Sequence, residues 1–131
     1  MSTVEEALQR SVVAAHKRAH VQPIAGVVAE LRELLSPKLV AYISGVGETR
    51  ATRQWAEGLR APHPETQTRL RTALQAALII SDAYDTATAQ AGMQGIDPAL
   101  DDRAPATVLR DSVGDADRQA VVVSAQRFVI Q

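Results

Sequence analysis

A chain of 131 residues with 46% hydrophobic side chains carries enough apolar mass for one domain, or for one compact unit with an appendage. It has no cysteine, which excludes disulfides and thiolate metal sites, and its aromatics amount to 3% beside abundant alanine, leucine and valine. That balance predicts an all-α fold whose helices pack closely through small side chains, with few strands.

The net charge of −1 conceals a segregation. Residues 36–72 hold six basic side chains against three acidic ones, and residues 73–131 hold eight aspartates against four arginines. A basic middle followed by an acidic end suits one region facing a polyanion and a separate surface for something else. No apolar run is long enough to cross a bilayer, and MSTVEEALQR lacks the basic-then-apolar order of a signal peptide. The expectation is a soluble, cytoplasmic protein that needs no membrane.

Residues 3–20 predict a helix. Ser2 with Glu5, or Thr3 with Glu6, forms a capping box, and Val4, Leu8, Val12, Ala15 and Ala19 line one side. His16, Lys17, Arg18 and His20 gather near its end, where positive charge complements the helix dipole. His16 and His20 also stand at a metal-chelating spacing, but no carboxylate accompanies them in that turn, and no metal is expected. Pro23 restarts the chain, and Ile24, Val27, Val28, Leu31, Leu34 and Leu35 form the stripe of a second helix ending around Ser36-Pro37. Ser36 caps a third helix with Pro37 in its first turn, running through Leu39, Val40 and Ile43 to Ser44. Gly45-Val46-Gly47 forces a turn. The next helix spans about Glu48 to Glu57 and closes at a left-handed Gly58.

Beyond Pro62 and Pro64, a long helix from Glu65 is marked by Leu70, Leu74, Ala77, Leu78, Ser81 and Tyr84, with room to continue to Ala91 before Gly92 and Gly95 break it. Asp97-Pro98 and Ala104-Pro105 each open a short helix. Asp115 caps a last helix with Ala116, Ala120, Val121, Ala125, Phe128 and Val129 as apolar positions, although the run AVVVS within it also suits a strand. The chain divides into an N-terminal helix (1–22), a helical domain (23–91) and a C-terminal module (92–131).

The stretch GVGETRATRQWAEGLRAPHPET gathers three arginines around the one tryptophan of the chain. Helix, short helix, glycine turn, short helix, proline-limited loop and long helix is the order of a helix-turn-helix domain, with Glu48–Glu57 as the recognition helix. On a helical wheel Ala51, Trp55 and Gly58 fall on one side, and Thr49, Arg50 and Arg53 fall away from it. Arginine can donate two hydrogen bonds to guanine O6 and N7, which makes Arg50 and Arg53 the expected base readers. Threonine hydroxyls and methyls suit phosphates, bases or thymine methyl groups, which brings in Thr49 and Thr52. Lys38 and Arg60 suit phosphate contacts that fix register.

The run LVAYISGVGETRATRQWAEGLRAPHPETQTRL resembles the Xre-type helix-turn-helix of bacterial regulators, and QGIDPALDDRAPATVLRD resembles the C-terminal module of the Xre/MbcA/ParS antitoxin family. The two stretches occur in the family's order and, together, the resemblance covers roughly residues 24–129. Gly95, Asp97, Pro98, Leu100, Pro105, Val108 and Leu109 fall on the module's frame. Gly92 and Met93 stand where an aromatic pair often precedes the family's Gly-x-Asn-Pro, and the glycine turn is one residue longer than the common form. The resemblance implies an autorepressing antitoxin that binds operator DNA and neutralises a RES-type toxin that consumes NAD. On that reading Gly95, Asp97, Pro98, Leu100, Asp101, Arg103 and Phe128 form the partner-binding set.

Three carboxylate groupings, Asp82/Asp85, Asp97/Asp101/Asp102 and Asp111/Asp115/Asp117, raise the question of an enzyme. Aspartates before a proline or at a helix entrance satisfy backbone donors, and Asp101-Asp102-Arg103 reads as a local salt-bridged loop. With no phosphate-cradling glycine loop and no activated nucleophile, neither catalysis nor a cofactor is expected. The alternatives to an antitoxin are a stand-alone repressor of host or phage type and an interaction adaptor without DNA binding. A homodimer is expected, since such regulators pair to read two half-sites, and the Val4/Leu8/Val12 stripe would serve either a dimer interface or the core.

Overall fold

The computed structural model describes residues 3–130, which form eight α-helices and one 3-10 turn, with no strand among the described residues. Thr3 opens α1 (Val4–Val21) by accepting a hydrogen bond from the Glu6 N–H at 3.1 Å. The alternative cap at Ser2 lies outside the described residues. α2 (Ile24–Leu34) follows, and Ser36 caps α3 (Pro37–Ser44) through the Leu39 N–H at 3.3 Å. α4 (Thr49–Ala56) is short like α3, and the chain leaves it through Gly58 at φ 75°, as the sequence suggested.

α5 (Pro64–Ala83) ends earlier than its periodicity allows. Tyr84 leaves the helical region at φ −129° and ψ −99°, and the Asp85 carboxylate accepts the Thr88 N–H at 2.7 Å to start α6 (Thr86–Gln94). A capping side chain thus splits the expected long helix. Gly92, expected as a breaker, sits inside α6, and Gly95 ends that helix. A 3-10 turn (Pro98–Leu100), α7 (Pro105–Asp111) and α8 (Asp115–Ile130) complete the fold. AVVVS is helical within α8. Asp115 is the first helical residue, not the cap, and its carboxylate contacts the Arg118 guanidinium one turn on.

α5 is the axis around which the others pack: α1, α2, α3, α6, α7 and α8 all lie against it. Its buried residues, Leu70, Thr72, Ala73, Leu74, Gln75, Ala76, Ala77, Ile79 and Ile80, cover most of its circumference, well beyond the stripe read from sequence. Leu78 is half-buried and Tyr84 exposed, so that stripe was drawn partly on the wrong side. One apolar cluster joins Ala15 and Ala19 of α1, Val27, Val28 and Leu31 of α2, and Leu100, Leu109 and Val121 of the C-terminal segment. The α1 stripe is spent on this core: Ala15 and Ala19 are buried and Leu8 and Val12 pack against it, while Val4 stays exposed. Arg71 of α5 ties the end of α1 down, donating to Ala19 O at 3.0 Å and Gln22 O at 2.8 Å.

α6 approaches α5 and α8 closely at Gly92. A Cβ there would stand 3.1 Å from Ile80 Cδ1 and 3.7 Å from the Phe128 ring. Replacing Gly92 by leucine should therefore overpack this junction and cost about 1–3 kcal/mol, read as a lowered urea midpoint with unchanged slope.

Candidate nucleic-acid interface

α3 closes at Gly45, whose φ of 77° lies in the left-handed region that favours glycine. Its N–H bonds Tyr42 O at 3.1 Å, and the Val46 N–H bonds Ala41 O at 3.1 Å, satisfying the last carbonyls of the helix. Residues 45–48 then lead into α4, which packs against α2 and α3.

The amphipathicity of α4 fixes what it shows. Trp55 is 5% exposed, Ala51 and Ala56 pack against the core, and Thr52 is fully buried. Thr52 is therefore removed from the DNA-facing set. It stands three residues before Trp55, hence on the same face, and its hydroxyl donates to Thr49 O at 2.7 Å. Thr49, Arg50 and Arg53 are exposed on the opposite side, as are Lys38 at the start of α3 and Arg60 after α4. Arg50 has no hydrogen-bond or ion-pair partner among the described residues. Arg53 lies 4.0 Å from Glu57, a pair more than half exposed on both sides and correspondingly weak.

Gln54 was missed by sequence reasoning. Its Oε1 accepts a hydrogen bond from Arg60 Nη1 at 3.1 Å, holding that guanidinium against the end of α4. The available signal was spacing, since Gln54 follows Arg50 by one helical turn. The basic excess of residues 36–72 is also partly consumed inside the fold. Arg69 donates to Ser112 O at 3.3 Å and Arg71 holds α1, which leaves Lys38, Arg50, Arg53 and Arg60 facing outward.

The C-terminal segment is arranged differently from the expected partner-binding set. Asp97 accepts from Ala99 N–H at 2.9 Å through Oδ1 and from the Ser124 hydroxyl at 2.6 Å through Oδ2. Its backbone N–H reaches Arg103 O at 3.1 Å. The carboxylate is a folding node joining the 3-10 turn to α8, half-buried and on the wall of an adjoining groove. Leu100 is 6% exposed and is spent on the core, which removes it from the partner-facing set. Phe128 is half-buried, edge-on to Tyr84 with ring centroids 6.0 Å apart. Gly95, Pro98, Asp101 and Arg103 are exposed. Arg103 pairs with Asp111 at 3.9 Å and not with Asp101 or Asp102, both of which adopt left-handed backbone (φ 58° and 60°). A groove of about 220 Å³ runs between Gly92, Gly95, Ile96, Pro98, Arg127 and Phe128.

His16 and His20 lie with ring centroids 4.5 Å apart, and His20 Nε2 is 3.2 Å from Gln75 Oε1. Among the described residues no three histidine, aspartate or glutamate side chains converge as a metal site. No helix of the described residues is long and apolar enough to cross a membrane.

The Ser124 hydroxyl, the Ala99 N–H and the nearby Arg127 hold the Asp97 carboxyl below its ordinary range. A depressed folded-state value means that the stabilisation is complete above the ordinary carboxylate range and is lost as pH falls through the lower folded value. Asp97→Ala should cost about 1–2 kcal/mol near neutral pH, and the gap between variant and parent should narrow below about pH 4 in urea titrations.

Comparisons with family models, curated proteins and solved structures give no match to this chain.

Proposed function

We propose that this chain is a sequence-specific DNA-binding regulator in which α3 and α4 act as a helix-turn-helix. The observation that carries the reading is the two-sidedness of α4: the indole of Trp55 and the side chain of Thr52 are buried, and Arg50 and Arg53 are exposed on the other side. A helix held in this way can enter the major groove with its outer face against base edges. Arg50 and Arg53 read guanines, and Thr49, at the first turn, reaches phosphate or thymine methyl. Lys38 and Arg60 contact phosphates and set register. Glu57 releases Arg53 on binding, at little cost for a pair so exposed.

Two copies reading half-sites one helical turn apart would give the chain its operator, in the cytoplasm where its gene is transcribed. The resemblance of residues 94–111 to an antitoxin module supports a further role as autorepressor and neutraliser of a RES-type toxin. The surface available for that role is Gly95, Pro98, Asp101 and Arg103 with the adjoining groove. The burial of Leu100 favours, as second reading, a repressor without a toxin partner.

Binding to a duplex taken from upstream of the chain's own reading frame tests the first proposal. Arg50→Ala with Arg53→Ala should weaken binding at least tenfold while helicity by circular dichroism is unchanged, since each bidentate arginine–guanine pair discriminates by about 1–3 kcal/mol. Equal affinity for parent and double variant would show that this helix does not read DNA. Arg60→Ala should weaken target and unrelated duplexes alike and reduce the salt slope by about one.

A further inference from the structure

Three interactions from α7 converge on one residue of α3. Arg110 Nη1 donates to Tyr42 O at 2.8 Å, its guanidinium carbon lies 4.6 Å above the Tyr42 ring, and Tyr42 Oη is 2.9 Å from Thr107 Oγ1. Tyr42 O is also the acceptor for the Gly45 N–H that turns the chain toward α4. The guanidinium therefore sits at the negative end of α3, on the carbonyl where the turn begins.

Val46 packs against the core, but that turn has few other polar restraints. Gly45, Gly47 and Glu48 are exposed, and Glu48 enters α4 without a side-chain cap. Among the described residues, Arg110 is the one side chain from outside α3 and α4 that hydrogen-bonds the backbone of residues 42–49. We propose that Arg110 is a positioning residue for DNA recognition. It pins the last turn of α3, so that residues 45–48 deliver α4 in one pose, and it makes α7 part of the DNA-binding apparatus without touching DNA. This rests on the function proposed above.

The test uses Arg110→Met, which retains the apolar stem and removes the donors, and Arg110→Lys, which restores a cation able to donate to the carbonyl. The probe is the duplex from upstream of the chain's own reading frame, with the Arg50/Arg53 double variant as control. Arg110→Met should bind about tenfold more weakly, with an unchanged salt slope and faster hydrogen exchange at Gly45 and Val46. Arg110→Lys should recover most of the loss. Unchanged affinity of Arg110→Met overturns the proposal, and so does a slope reduced by about one, which would make Arg110 a phosphate contact. Should Arg110→Met fail to fold, Arg110→Gln, which removes the charge and the stacked guanidinium while keeping a polar side chain of shorter reach, is judged by the same affinity and exchange criteria. If the Arg50/Arg53 control binds like the parent, the DNA reading itself fails, whatever the exchange rates at Gly45 and Val46.

Discussion

Burial of α5 on nearly all sides is the constraint from which the rest of the fold follows. Six helices pack on it, and close packing on that scale needs small side chains at the contacts, which Ala73, Ala76 and Ala77 provide. Polar groups caught in this arrangement are satisfied locally. Thr72 donates to Thr68 O at 3.0 Å, one turn back, and Gln75 meets His20 at 3.2 Å. Because α1, α2 and the C-terminal helices share one apolar cluster, α3 and α4 are mounted on a frame that includes residues far along the chain.

On that frame the placement of one indole decides which face of α4 is outward. Helical geometry puts Ala51, Thr52 and Trp55 on the inner side, and Arg50 and Arg53 then have only solvent to face. The seat carries a cost, because the buried Trp55 Nε1 has no hydrogen-bond acceptor among the described residues. Apolar burial of the large ring outweighs it. Outward arginines thus follow from the inward tryptophan by geometry, with no separate device needed to expose them.

Local signals in the sequence located most helix boundaries. Ser36-Pro37, the turn at Gly45, the left-handed Gly58 and the Asp97-Pro98 turn are short-range features whose physics acts within a few residues, and each stands where the sequence put it. Long-range burial was harder to read. A helix surrounded on all sides has no single apolar stripe, so α5 was assigned too narrow a face and too great a length. The β-branched run in α8 looked ambiguous because local propensity is weak against the packing of Val121 and Val122. At the candidate site, the outward placement of Arg50 and Arg53 was legible from the wheel. Thr52 and Leu100 were misjudged because polarity or motif position says nothing of which partners a folded chain has already supplied. The contacts of Gln54 with Arg60 and of Arg110 with Tyr42 join residues whose pairing depends on tertiary position, and no periodicity announces them.

The solitary tryptophan has one more consequence. With no second indole to confuse the signal, emission from Trp55 reports on the seating of a single helix. Its environment is apolar while α4 is docked and aqueous once it lifts away, so the colour of the native protein's fluorescence is a built-in optical gauge of whether the arginine face is being held in place.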